Sequence, residues 1–482
     1  MPKIRRTFDR MFFLLIKKKV KKYFFQFSLY LFVIASIISC SSENESNYIA
    51  LPDLQERVYA GGETTVFLTS SNSFSTPAAN LNGSDLNLHL DGDFQFEAAF
   101  VTAPSTINEG LGPIFNNSSC VSCHPKDGRT SFPSTINALS GFFLRTSIPG
   151  VADDGGPVAV PNFGLQIQNQ AIFGYEPEGK FKVTFTPIVE ILADGNQVTL
   201  QKPNYSVIDT YIDFPSNALL SPRLAPPVFG LGLLEAIPES EILLHQDIND
   251  LDGDGITGKA NYVYNPVSDA TELGRFGWKA NTATILEQCA GAYSGDMGIT
   301  TYLMPDETGD GQTNGNDGLG DDPEITEEIL NQVAFYCKTI GVPAPRDLDN
   351  ESVRKGAQIF ESIACAKCHV PSMTTGPSAI SAISNQKIFA YTDMLLHDMG
   401  DDLADNRPDF LANGNEWKTR PLWGIGLTEV VNGHTDFLHD GRAKNITEAI
   451  LWHGGEALAS KNKFKALSTK EREALLLFVN SL

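Results

Sequence analysis

Amphipathic stretches in this chain are few and fall near the ends of two long segments. Residues 323–340 carry apolar positions at the helical period behind Asp322 as N-cap. Thr469 to Leu482 does the same behind Ser468 and Glu471, whose spacing makes a capping box. A third helix opens at Asn350, which precedes Glu351-Ser352-Val353 as an N-cap. The pattern changes between these elements. Lys180 to Thr186 and Gln197 to Val207 alternate or cluster β-branched and apolar residues and predict a small antiparallel insertion. Long loops fill the remainder, and Val342-Pro343-Ala344-Pro345 predicts a boundary.

Parts of the chain repeat. Pro227 to Glu235 matches Pro421 to Glu429 at an offset of 194, which carried forward pairs Leu244-His245 with Leu438-His439. Upstream, Phe115 and Phe360 each stand five residues before a cysteine, with Gly112 and Gly356 ahead of them. At 482 residues and 42% hydrophobic, the chain has material for two ordinary cores. The expectation is a duplicated plan of helix, cysteine motif, long loops and closing helix, with the β insertion in the first copy.

The N-terminus changes this picture. Basic residues from Lys3 to Lys22 precede an apolar run over Tyr23–Ser39 and then Cys40, which reads as a signal peptide over 1–39. Ile37-Ile38-Ser39-Cys40 resembles the lipobox of bacterial lipoproteins, which implies a lipid anchor at Cys40 and, with Ser41 next, an outer-membrane lipoprotein with a periplasmic or cell-surface face. A start at Met11 would shorten the signal, and a membrane-spanning helix is the alternative. Residues 40–90 are rich in Ser, Thr and Asn to about Asn82, lack a clear apolar period, and read as a tether. Removing the signal leaves 27 basic against 57 acidic residues. That balance excludes nucleic acid and favours a basic partner.

Seven cysteines carry most of the chemistry. Cys120-Val121-Ser122-Cys123-His124 and Cys365-Ala366-Lys367-Cys368-His369 both have the C-x-x-C-H spacing of covalent haem attachment. Two thiols add across the porphyrin vinyl groups, and the adjacent histidine ligates the iron. Two covalently bound haem c groups are therefore expected, and a zinc or thioredoxin-like pair would not place histidine after the second cysteine twice. Cys289 and Cys337 remain, either as a disulfide tying the 286–288 region to the closing helix or as two buried thiols.

The chain resembles the bacterial di-haem cytochrome c peroxidase superfamily, most closely the branch of di-haem oxidoreductases also described as thiol oxidoreductases. The resemblance rests on both haem motifs, Ser221 to Pro227, Gly274 to Ala280, Leu395 to Gly400, and Leu438 to Arg442. It implies a mainly α fold of two cytochrome c-like haem domains, 91–342 with the insertion and 343–482. It also implies that haem two stores an electron while haem one meets a small oxidant, hydrogen peroxide first and a sulfur compound second. The segment His439 to Arg442 resembles the one that packs beside haem two. In the superfamily a methionine ligand follows fourteen residues later, and here that place holds His453. His369 and His453 are thus expected on iron two, with Met399 or Met394 as substitutes for His453. A glutamate expected near haem one is missing at the aligned place, so Glu235, Arg275 and Lys279 become the catalytic candidates. His245 could instead close iron one. A small redox protein, a basic cytochrome or cupredoxin, is the implied donor. The alternative is a non-catalytic electron-transfer cytochrome or an accessory of surface uptake.

Asp250, Asp252 and Asp254 alternate ahead of Gly255 in a pattern suited to calcium, although Asn261 stands where an EF-hand has glutamate. Asp306 to Gly311 is a weaker copy. Trp278, Trp423 and Trp452 are candidate aromatic relays between the haems.

Overall fold

Two helix crossings set the frame, and they are built alike. Helix Gly83–Glu97 packs against helix Glu327–Thr339, and helix Glu351–Ser362 packs against helix Thr469–Ser481. A glycine lies at each crossing. A Cβ added to Gly92 would come within 3.0 Å of the Gln332 carbonyl and the Tyr336 side chain, and one added to Gly356 would meet the Ala474 carbonyl and the Phe478 side chain in the same way. Backbone therefore approaches backbone closely at both places, which only glycine permits. One turn on, Phe96 and Phe360 pack against Tyr336 and Phe478 at 5.2 and 5.4 Å. The structure, a computed structural model, describes residues 51–133, 140–307 and 312–482. The expected signal segment 1–39 and Cys40 lie outside the described residues, as does part of Asp306 to Gly311.

The caps follow the sequence with one correction. The Asn350 side chain accepts from Ser352 N at 2.8 Å, and Ser468 and Glu471 make both bonds of a capping box. The first closing helix, however, begins at Glu327 behind Thr326, not at 323 behind Asp322. Thr326 accepts from Ile329 N, while Asp322 is engaged by the Thr300 hydroxyl at 2.7 Å.

The expected register of Phe115 with Phe360 is also corrected. Ile114–Phe115 is a short strand paired with Gln170–Ala171, and Phe96 is the residue placed like Phe360. The tether reading of 40–90 fails over its described part, because Leu54 and Phe74 are core residues and Phe74 stacks on Phe229 at 4.4 Å. Val66 exchanges main-chain bonds with Val342 and Ala344, so the proline-rich turn is buried against that segment.

The fold is not mainly α. Helices make up 29% of the described residues and strands 18%, with six two-stranded sheets and long irregular connections. The long loops predicted from sequence form the small sheets, satisfying their backbone groups in pairs. The β insertion is larger than expected: Lys180–Ile191 pairs with Gln197–Ile208 throughout. A second ribbon joins Phe142–Ser147 to Leu219–Leu224. The long hairpin reaches away from its own half, burying Leu192 and Leu200 in the core built mainly from residues after 348. Glu190 there pairs with Lys461 and Lys465 at 2.7 and 2.6 Å. Residues Pro52–Leu482 form one compact unit with two principal cores.

Candidate functional site

Each C-x-x-C-H motif opens onto its own cavity. The first, about 170 Å³, is lined by Cys120, Cys123 and His124; the second, about 250 Å³, by Cys365, Cys368 and His369. Ser119 caps the turn Cys120–Cys123, accepting from Ser122 N at 3.3 Å. His124 Nδ1 lies 2.7 Å from the Pro226 carbonyl, and His369 Nδ1 lies 3.1 Å from that of Tyr391. A ring that donates Nδ1–H to a carbonyl keeps its Nε2 lone pair for a metal. Burial holds both imidazoles down to about 4, so both are neutral and able to ligate.

His453 and His439 also line the second cavity. His453 Nδ1 meets the Ala449 carbonyl at 2.7 Å, leaving Nε2 free as in the two motif histidines. His439 stacks on Trp417 at 3.8 Å, and its buried Nε2 has no hydrogen-bond partner. Met399 borders this cavity; Met394 lies in the other core and His245 borders neither cavity. Asp440, clamped by Arg442 at 2.8 Å, is held well below the usual carboxylate range despite burial.

Glu235, Arg275 and Lys279 line neither cavity. Glu235 caps helix Ile285–Ala292 by accepting from Ile285 N at 2.7 Å and pairs with Lys338 at 2.8 Å. Arg275 reaches the Leu234 carbonyl. Lys279 is fully buried, and its Nζ contacts Asp405, Arg407 O and Asn413 O at 2.7 to 2.8 Å, which uses all three donors.

Other charged groups occupy the first cavity. Arg145, Arg223, Asp296, Asp409 and Arg420 line it. Arg223 leaves one buried Nη1 unpartnered and sits 3.6 Å from both Asp405 and Asp409. Burial raises the Asp296 carboxyl above its usual range against the pull of Arg145 and Gln166. Burial works in the same sense on Asp409, but Arg407, Arg223, Lys279 and Arg145 hold it lower. Arg223 stands in the Ser221 to Pro227 motif; nothing local in sequence distinguishes Arg145, Asp296 or Asp409.

Cys289 and Cys337 are buried in the wall of the first cavity, in contact but unlinked, so the expected disulfide is replaced by two thiols. Of the aspartates expected together, Asp250 and Asp252 gather with Asp247, their oxygens within 4.8 Å of one another. Asp254 stands outside this group and pairs with Lys367 of the second C-x-x-C-H motif at 2.8 Å, and the same ammonium also reaches Asp252 at 3.2 Å. Trp278 borders both cavities, Trp423 only the second and Trp452 neither.

Paired thiols beside a neutral imidazole in each cavity, with unpartnered Arg223 Nη1 and His439 Nε2 in the walls, suit a flat ring with an anionic edge. The family described as "Di-haem oxidoreductase, putative peroxidase" matches residues 55–482. The chain belongs to this family and is an oxidoreductase of the di-haem type. Among solved structures, a chain of hydrazine synthase from Kuenenia stuttgartiensis is similar at 16% identity with a TM-score of 0.21. The match covers 32% of this chain and 55% of that one, so it spans little over half of the hydrazine synthase chain. No curated protein matches the chain.

Proposed function

We propose that the chain is an exported c-type oxidoreductase with peroxidase-like chemistry, in which haem two stores an electron and haem one meets the oxidant. Cys120, Cys123 and His124 would hold haem one, and Cys365, Cys368, His369 and His453 haem two, each supplying a redox-active iron. The unequal supply of imidazoles carries this reading. His369, His397, His439 and His453 line the second cavity, whereas His124 is the one histidine among the described residues lining the first. With His124 as its one imidazole, iron one would keep a position for a small molecule.

Asp296 takes the part first given to Glu235. Its Oδ1 accepts from Gln166 Nε2 at 2.7 Å, which leaves Oδ2 to take a proton from peroxide and return it to the departing oxygen. Arg145 and Arg223 present N–H groups to the O–O bond. The acidic surface suits a basic cytochrome or cupredoxin as donor. A lipid at Cys40 would keep the protein at the outer membrane, and calcium at Asp247, Asp250 and Asp252 would stiffen the loop that Asp254 ties to Lys367.

Met297 supports a second reading, because its side chain also borders the first cavity and a thioether there would saturate iron one, leaving an electron carrier. Electron paramagnetic resonance of the half-reduced holoprotein separates the two. A high-spin signal lost on adding peroxide is expected, and Asp296→Asn should slow that loss by about 10²- to 10⁴-fold. Two low-spin haems indifferent to peroxide would sink the peroxidase reading.

A further inference from the structure

The first cavity carries oxidisable side chains that its chemistry above does not use. Cys289, on helix Ile285–Ala292, and Cys337, on helix Glu327–Thr339, are 8% and 4% exposed and touch each other. Both line the cavity that contains Cys120, Cys123 and His124. Tyr293 begins just beyond the first of these helices. Its hydroxyl is buried without a hydrogen-bond partner and interacts with Cys120, Cys289 and Cys337. An orphaned buried hydroxyl costs about 1–3 kcal/mol, so its retention among three sulfurs calls for a reason.

Packing alone does not require the pair. The two closing helices superpose in sequence at an offset of 142, which relates Thr326 to Ser468, Tyr336 to Phe478 and Cys337 to Val479. The second helix serves the same crossing with valine where the first has cysteine. The crossing therefore does not dictate the thiol at Cys337.

We propose that Cys289 and Cys337 form a redox-active dithiol that delivers two electrons to an oxidant bound in the haem-one cavity, with Tyr293 between the pair and that site. The inference rests on the peroxidase-like reading. In the step two S–H bonds break and one S–S bond forms. The two electrons and two protons go to a hydroperoxide, whose O–O bond breaks to give an alcohol and water, or two waters from hydrogen peroxide. Contact with Cys289 and burial keep the Cys337 thiol protonated, well above its ordinary range. Enclosed protonated thiols are poor partners for soluble disulfides. Electrons then leave by way of the cavity and not by exchange at the surface.

The test uses the full holoprotein, treated with a soluble phosphine, freed of it under argon and given one equivalent of hydrogen peroxide. Samples are alkylated with a maleimide in denaturant before and after, and the peptides weighed. Both cysteines should be alkylated before peroxide and neither afterwards, with a 289–337 cross-linked peptide in their place. Azide at iron one and Tyr293→Phe should each slow the linkage. The proposal is overturned if the link survives the phosphine, if peroxide is consumed while both thiols stay alkylatable, or if azide leaves the rate unchanged. Failure to consume peroxide at all would defeat the functional reading, and this inference with it.

Discussion

Replacing Lys279 by methionine separates a structural role from a catalytic one. The Lys279 ammonium bonds Asp405 and the carbonyls of Arg407 and Asn413, and it lies 4.7 Å from the centre of the Trp417 ring. Methionine fills similar volume but leaves two carbonyls and part of a buried carboxylate unsatisfied. Arg223, 3.6 Å from Asp405, and the Ser221 hydroxyl offset some of that loss. Breaking one side of a buried ion pair costs about 3–5 kcal/mol. A unit of this size loses roughly 0.9 kcal/mol of stability per degree near its midpoint, so Tm should fall by about 3–6 °C. Circular dichroism of the holoprotein reads that shift, and stopped-flow spectra read the peroxide reaction of haem one. The expected variant is less stable yet reacts with peroxide at nearly the native rate. An unchanged Tm with a collapsed peroxide reaction would refute the assignment and return Lys279 to the chemistry.

His453→Met should raise the potential of haem two, since methionine ligation lies higher than bis-histidine; an unmoved potential in a redox titration would remove His453 from the iron. Gly356→Ala places a methyl group against the Ala474 carbonyl and should cost about 1–3 kcal/mol by chemical denaturation, despite alanine's better helix propensity; no loss would mean the two helices part freely. Glu456 is held down to about 2 by His397 and Thr257 although burial opposes it. Its folded value lies below the unfolded one, so its contribution is complete above about pH 4.5 and is lost as pH falls toward 2. Urea midpoints measured across that window should fall for the native chain and flatten for Glu456→Gln; parallel curves would refute the linkage.

The haem motifs, the closing helix Thr469–Ser481 and the hairpin were legible because their signals are local: spacing, a capping box and strand alternation. The helix before the first haem motif was not. Its buried residues are His89, Gly92 and Phe96, while Leu90 and Phe94 face solvent, so the apolar pattern points to the wrong side. Histidine and glycine mark that face because the helix packs backbone-close and because His89 bonds Thr339 at 2.8 Å. The polar wall of cavity one was hidden for another reason. Arg145 comes from a strand, Asp296 from a helical turn and Asp409 from a loop, brought together over 264 residues by pairing that no spacing rule records. Arg275 and Lys279 lie within the Gly274 to Ala280 motif, whose Phe276, Gly277 and Trp278 line the first cavity while those two cations do not.

The two halves depend on each other through reciprocal contacts. Phe229 and Trp423 are related by the offset of 194, and each is followed by a glycine in the left-handed region. A Cβ on Gly230 would strike Trp423, and one on Gly424 would strike Phe229, so each half leaves room for the other's ring. The hairpin adds a second tie by carrying Glu190 to Lys461 and Lys465. Trp278 then becomes the aromatic that matters among the three considered. It belongs to the first half by sequence, lies in the core of the second, and forms wall in both cavities. Its Nε1 is fixed on the Leu224 carbonyl at 2.9 Å, and the guanidinium groups of Arg129 and Arg420 lie 5.4 and 4.9 Å from its ring. A ring so held keeps one geometry between two cavities, whereas Trp423 borders one and Trp452 neither. Cutting the chain at Val342–Pro345 would strip cavity two of Trp278 and of the hairpin beneath its core, so an isolated second half cannot keep the same haem environment.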